Sequence, residues 1–190
     1  MNKYLIAVLV IAILMIMYFT SDTFNLTCVV AEKDGKKYCV RDSTLLKESV
    51  ELLAEVNLRM QKVVAFLDKK YPDDPRVKRL VKNFNPDRIV ETLPTSTYTA
   101  YSENKGEKLA FCLRKYKNQA ELIDLNTIVF VALHELSHLM SASVGHNEEF
   151  WTNYEFILEN AVEENLYTRV DYSKKPVEYC GLTITNNPLY

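Results

Sequence analysis

The chain has 190 residues, with 23 basic and 25 acidic side chains and a formal net charge of -2. This length fits one compact domain, and the near-neutral balance excludes a basic nucleic-acid-binding surface as the main function, so no nucleic-acid partner is expected. With 48% hydrophobic and 25% charged residues, 4 Gly and 6 Pro, the composition excludes collagen-like and low-complexity chains.

The first predicted element is an apolar run, YLIAVLVIAILMIMYF, at residues 4–19. As a helix it would be roughly 24 Å long, slightly less than a ~30 Å hydrocarbon core, so spanning requires Tyr4, Tyr18 and Lys3 to reach the interface. We predict a transmembrane anchor over residues 1–21, single-pass membrane localisation, and the lipid bilayer as a partner. A cleaved signal peptide remains the alternative. Orientation stays open, because the flanking lysines and the cysteines favour opposite sides.

The next predicted element is a hairpin over residues 27–41, which would place Cys28 opposite Cys39. Cys112 and Cys180 would then form a second pair, with four reduced thiols as the alternative.

Two helices are predicted to follow the hairpin. Apolar residues recur every three or four positions from a cap at Ser43 until Tyr71-Pro72, and Asp74 before Pro75 begins a shorter helix. This spacing indicates that the longer helix packs on the core.

The remaining pattern predicts two short strands at residues 97–101 and 108–114, then two more helices. The first helix, NTIVFVALHELSHLM, would be capped by Asn126 and ends before Gly145. The second extends from about Asn147 through Tyr167, and a short strand follows it in the tail. Residues 108–114 are also the candidate edge strand along which an extended peptide could bind.

The most informative motif is HExxH, formed by His134, Glu135 and His138 inside an apolar helix. Residues four apart share a helix face, so both imidazoles can bind one metal ion, while the carboxylate of Glu135 can act on a water molecule there. Polar groups in a helix otherwise built for burial need a partner, and a Zn²⁺ ion would supply one.

The third metal ligand has two candidate sources in the sequence. All 3 histidines of the chain fall between His134 and His146, and Gly145 can turn the backbone so that His146 reaches the first two. Three neutral nitrogens with a fourth open position are typical of a catalytic zinc site. A carboxylate from the following helix remains the alternative, and its candidates recur every four residues, at Glu155, Glu159 and Glu163.

The order of HELSH, Gly145-His146 and Phe150-Trp151 resembles the zincin metallopeptidases, especially the WLM and SprT-like families. The stretches KGEKLAFCLR and YCGLTIT are also similar to WLM-type metallopeptidases of large DNA viruses. The resemblance implies a zincin-like α+β domain over residues 22–190, with a small antiparallel sheet packed on the HExxH helix. It also implies zinc bound by His134, His138 and His146, with Glu135 as general base. Seven residues separate His138 from His146, which is longer than the usual WLM gap.

We therefore predict a membrane-anchored zinc metallopeptidase with a polypeptide substrate, in which Glu135 takes a proton from water and passes it to the leaving amine. The alternatives are a non-peptidase zinc hydrolase and a catalytically silent zinc-binding protein of a membrane or virion, because HExxH does not fix which bond is attacked. Tyr154 and Tyr179 are both candidates for stabilising the oxyanion.

Overall fold

The computed structural model describes residues 3–19, 26–117 and 119–190. Helices and strands together form an α+β fold, as the sequence predicts. The helices are α1 (Lys3–Phe19), α2 (Leu46–Lys70), α3 (Pro75–Asn83), α4 (Leu125–Met140) and α5 (Glu148–Glu163). The strands are β1 (Leu26–Val30), β2 (Lys37–Arg41), β3 (Ile89–Glu91), β4 (Ala100–Glu103), β5 (Lys108–Phe111), β6 (Val177–Tyr179) and β7 (Leu182–Ile184).

The main sheet has five strands in the order β1-β2-β3-β5-β4, and β6 and β7 form a separate hairpin. The outer pairs β1–β2 and β4–β5 are antiparallel, whereas β2–β3 and β3–β5 are parallel. The predicted all-antiparallel sheet is therefore wrong at its centre. The physical reason is the crossover through α2 and α3, which lets β3 return beside β2 in the same direction.

The edge of the sheet nearest the histidine motif is β4. Strand β5 pairs with β3 on one side and with β4 on the other, so the prediction of an edge strand at residues 108–114 is wrong. Residues Ala100–Glu103 of β4 pair only with β5 among the described strands. The other side of β4 keeps its backbone groups available to a partner.

Helix α4 lies at the centre of the core. Twelve of its 16 residues are buried, and it packs against α2, α3 and α5. Its cap is Asp124, whose carboxylate accepts from the Thr127 backbone N–H at 3.0 Å, and not the predicted Asn126. The Asn126 side chain instead exchanges two hydrogen bonds with the backbone of Thr168.

Two disulfides connect the cysteines. Cys28 bonds to Cys39 across the β1–β2 hairpin, where the two residues are register partners. Cys112, just after β5, bonds to Cys180 in the turn between β6 and β7. The predicted pairing is confirmed, and the second bond fixes the small hairpin to the main sheet.

The predicted transmembrane anchor is wrong. Over residues 3–19, 26–117 and 119–190, the structure contains no helix with both the length and the apolar character needed to cross a bilayer. Helix α1 has 17 residues, about 26 Å, whereas a spanning helix needs about 20 residues. The predicted single-pass membrane localisation and lipid bilayer partner are wrong for the same reason. Residues 1–2 and 20–21 of the predicted segment lie outside the described residues.

Candidate metal centre

Helix α4 brings the first two histidines together. His134 and His138 are one turn apart on the same face, and their ring centroids are 4.9 Å apart. The fully buried Leu133 and Leu136 occupy other faces of the helix and hold it in the core. The position of both imidazoles therefore follows from the packing of α4.

The loop from residue 141 to residue 147 brings His146 to the same point. Its ring centroid lies 4.9 Å from that of His134 and 4.8 Å from that of His138, so the three rings form a nearly equilateral triangle. The Nε2 atoms of His146 and His134 are 2.9 Å apart. One nitrogen from each of the three rings lies within 4.8 Å of the others.

Two charged side chains hold the beginning of this loop. The Lys105 ammonium donates to the carbonyls of Ser141 and Ser143, at 2.9 and 2.7 Å, which satisfies acceptors at the end of α4. The Glu149 carboxylate accepts from the backbone N–H groups of Ala142 and Ser143, at 2.8 and 3.0 Å. The loop is thus tied to the β4–β5 turn and to α5.

Contacts from α5 hold the end of the loop. The Trp151 indole N–H donates to the His146 carbonyl at 3.1 Å. Asn147 caps α5 by accepting from the Phe150 N–H, and Gly145 has a φ of 89°, a left-handed conformation that favours glycine. Helix α5 therefore begins immediately after the third histidine and fixes its backbone.

Phe150 contacts all three imidazoles. Its side chain is fully buried, and its ring centroid lies 4.7, 4.4 and 4.7 Å from those of His134, His138 and His146. A single aromatic ring therefore limits the rotation of every histidine in the group.

The surroundings of His134 and His138 favour unprotonated nitrogens on both rings. Burial, with smaller effects of His138 and His146, lowers the pKa of His134 to about 3. Burial, followed by His146 and Lys105, lowers the pKa of His138 to about 4. Both imidazoles are neutral at pH 7 and offer lone pairs.

The carboxyl group of Glu135 is buried. Its side chain is 4% exposed, and burial alone raises its pKa to about 8. A nearby divalent cation would favour the charged carboxylate and move this pKa down again.

The donor set fits a divalent metal ion. A tetrahedral ion about 2.1 Å from each nitrogen separates its ligands by roughly 3.4 Å. This separation lies between the 2.9 Å from His146 Nε2 to His134 Nε2 and 4.8 Å, the upper limit of the distances among the three histidine nitrogens. Neutral imidazoles are also the form in which histidine binds such ions.

The carboxylate alternative for the third ligand finds no support among the described residues. Glu155, Glu159 and Glu163 are all exposed, and the candidate metal group contains histidines only. Glu163 instead pairs with Lys70 near the far end of α5.

The histidines and Glu135 border a cleft. Two adjoining cavities of about 680 and 470 Å³ share Ala100 of β4, His134, Glu135 and His146 in their walls. The unpaired edge of β4 therefore runs beside the three histidines.

The two tyrosines considered for oxyanion stabilisation both line the larger cavity. The Tyr154 hydroxyl donates to the Phe130 carbonyl at 3.0 Å, and the Tyr179 hydroxyl donates to the Thr99 carbonyl at 3.2 Å. Each proton is committed to the backbone in this structure, so the contacts select neither residue as an oxyanion donor.

Sequence reasoning missed two residues that support the site. Lys105 lies in a turn 36 residues before the carbonyl it binds, and no local pattern signals such a contact. In the sequence, Glu149 is distinguished only as an acidic residue at the beginning of the last predicted helix. Its position seven residues after Ala142 was the available signal, because a tight loop can bring both together.

Comparison with known proteins agrees with the resemblance found in the sequence. The family model for the WLM domain matches residues 80–181, more than half of the chain. The chain is 29% identical over 198 residues to an uncharacterized protein of Acanthamoeba polyphaga mimivirus, covering 100% of both chains. It is 32% identical over 101 residues to an uncharacterized protein of Invertebrate iridescent virus 3, covering 52% of this chain and 57% of that one. The crystal structure of Wss1 from Saccharomyces cerevisiae aligns with a TM-score of 0.49 at 19% identity, covering 66% of this chain and 88% of that one. The chain belongs to the WLM domain family.

Proposed function

We propose that this protein is a zinc metallopeptidase in which His134, His138 and His146 bind the ion and Glu135 is the general base. The observation that carries the proposal is the convergence of three imidazoles beside a buried carboxyl group on the wall of an open cleft. We propose residues 22–190 as the catalytic unit.

The proposed reaction combines the metal with the acid–base chemistry of Glu135. His134, His138 and His146 would hold the zinc ion, which would supply a lowered pKa of water, towards ~7, and polarisation of a carbonyl group. Glu135 accepts the proton of the attacking water and then donates it to the nitrogen of the leaving amine. The low polarity around its side chain, which raises its pKa, favours the first step because the carboxylate takes up a proton more readily than it would in water.

A polypeptide fits the cleft as the substrate. An extended peptide can pair with the free edge of β4, as peptides do when they add a strand to an exposed sheet edge. Ala100 in this strand and Glu135 line the same two cavities, so a peptide on β4 would pass beside the general base.

The test compares the full-length parent protein with Glu135→Gln and with a matched control, Glu159→Gln, which changes an exposed glutamate on α5. Zinc content is measured by elemental analysis, and cleavage is measured with casein and with ester substrates. We expect about one zinc per chain in all three proteins and peptide cleavage in the parent and the control. Glu135→Gln should retain the metal and lose at least about 100-fold in rate, since general base catalysis contributes about 10²–10⁴-fold.

Three results would contradict the proposal. A parent that binds zinc but cleaves no polypeptide would indicate a silent zinc protein, and one that cleaves only esters would indicate a different hydrolase. Full zinc content in His146→Ala would show that the third histidine is not a ligand.

A further inference from the structure

The exposed apolar side chains outside α1 concentrate around the cleft. Over residues 26–117 and 119–190, eight large hydrophobic residues are exposed. Four of these eight residues border the two cavities beside the histidines. These four are Tyr98, Val144, Trp151 and Leu182. Surface apolar residues that gather around a concave site indicate an apolar binding partner.

The larger cavity has apolar walls on three sides. Phe130 and Val131 contribute from α4, Trp151 from α5, and Leu182 and Ile184 from β7. Its volume of about 680 Å³ lies within the range of small-molecule binding pockets, so a large side chain and its neighbouring backbone fit inside.

The cavity is also uncharged apart from the catalytic group. Among its described lining residues, only Glu135 and the histidines can carry a charge, and the other polar side chains are hydroxyls and an amide. A lysine or aspartate side chain placed there would lose water without gaining an ionic partner outside Glu135 and the histidines, whereas an apolar side chain has no charge to desolvate.

The cavity is continuous with the reacting centre. His134 and Glu135 form part of its wall, and Ala100 of β4 with the preceding Thr99 forms another part. A peptide paired with β4 and positioned for attack would therefore place a side chain adjacent to the scissile bond in this cavity.

We propose that this cavity is the specificity pocket and that it selects a large aliphatic or aromatic residue next to the scissile bond. The substrate class is then extended, apolar segments of polypeptide. This inference rests on the proposed peptidase function.

The first test measures kcat/KM of the full-length zinc-loaded protein on one peptide series. The residues flanking the scissile bond are varied among Leu, Phe, Ala, Lys and Asp. We expect Leu and Phe peptides to exceed the Ala peptide by about tenfold or more and the Lys and Asp peptides by about 100-fold or more.

The second test measures binding without turnover. Trp151 is the only tryptophan of the chain and lines the cavity, so its fluorescence reports occupancy. In Glu135→Gln, Leu and Phe peptides should change this fluorescence at concentrations at least about tenfold lower than the Lys peptide.

A charge placed in the pocket should change the preference. Ile184→Glu is expected to raise the Lys-to-Leu ratio of kcat/KM at least about tenfold, while Val81→Glu, which changes an exposed residue of α3, leaves the ratio unchanged. Leu182→Glu, at a side chain 58% exposed, gives the same readout if Ile184→Glu does not fold.

The results separate the two proposals. Equal cleavage of all peptides, or an unchanged ratio in a folded pocket variant, overturns the specificity pocket and leaves the peptidase function in place. Zinc-loaded protein that cleaves no peptide at all overturns the peptidase function and this inference with it.

Discussion

Phe150 provides a quantitative test of how the protein positions its histidines. Phe150→Leu keeps most of the buried apolar volume but removes the ring that lies 4.4–4.7 Å from each imidazole centroid. A change that nearly conserves volume costs about 1 kcal/mol of folding free energy. Loosening the support of metal ligands lowers metal affinity about 10–100-fold, and the lower figure corresponds to about 1.4 kcal/mol.

The assay combines calorimetric titration of zinc with urea denaturation in the presence of a chelator. The matched control is Phe111→Leu, which removes an equally buried ring in β5 that is not an aromatic neighbour of the imidazoles. Both variants should lose similar stability without metal, but only Phe150→Leu should lose zinc affinity. Equal zinc affinity in both variants would refute the positioning role of Phe150.

Three further predictions follow from contacts around the site. Glu149→Ala removes three hydrogen bonds to the loop, from the Ser143 hydroxyl and from the backbone N–H groups of Ala142 and Ser143, and should weaken zinc binding about tenfold in calorimetric titrations. These contacts lower the pKa of Glu149 from 4.5 to about 2, so their stabilising effect is present above pH 4.5 and is lost as the pH falls towards 2. Comparing acid denaturation of Glu149→Gln and parent checks this sign. Gly106→Ala should cost at least about 2 kcal/mol in urea denaturation, because φ is +106° and the added Cβ would lie 2.1 Å from the Asn83 carbonyl oxygen. Removing zinc with a chelator should leave the far-ultraviolet circular dichroism unchanged. Compared with protein in zinc at about 100 times its Kd, the chelated protein should have a Tm lower by about 5–10 °C.

Local periodicity made the first half of the site predictable. The four-residue separation of His134 and His138 defines one face of a helix wherever that helix packs, so their pairing follows from sequence alone. The position of His146 cannot be predicted in this way, because it depends on Lys105 from another part of the chain and on Glu149 beyond the loop. A sequence shows that such a loop can turn back, but not which distant side chains fix it.

The errors in the predicted fold have a similar origin. Strand character was readable in residues 108–111, yet the sequence does not show that β5 lies between β3 and β4, so that β4 and not β5 is at the edge of the sheet. An apolar run suggested a spanning helix, but no helix over residues 3–19, 26–117 and 119–190 combines the length and apolar character that crossing a bilayer requires. Pairing of Cys28 with Cys39 was predictable because a short turn separates them, and this left Cys112 and Cys180 as the second pair.

Both walls of the cleft are fixed by contacts that do not involve a metal ion or a substrate. On one side, the core packing of α4 and the Trp151 hydrogen bond hold the histidines. On the other side, the bond between Cys112 and Cys180 and the Tyr179 hydrogen bond to the Thr99 carbonyl hold the β6–β7 hairpin against the sheet. Groups that are ordered during folding need no further ordering when a ligand binds, so less of the binding free energy is lost. In the proposed peptidase, interactions with the metal and the peptide can then contribute to lowering the reaction barrier instead of assembling the site.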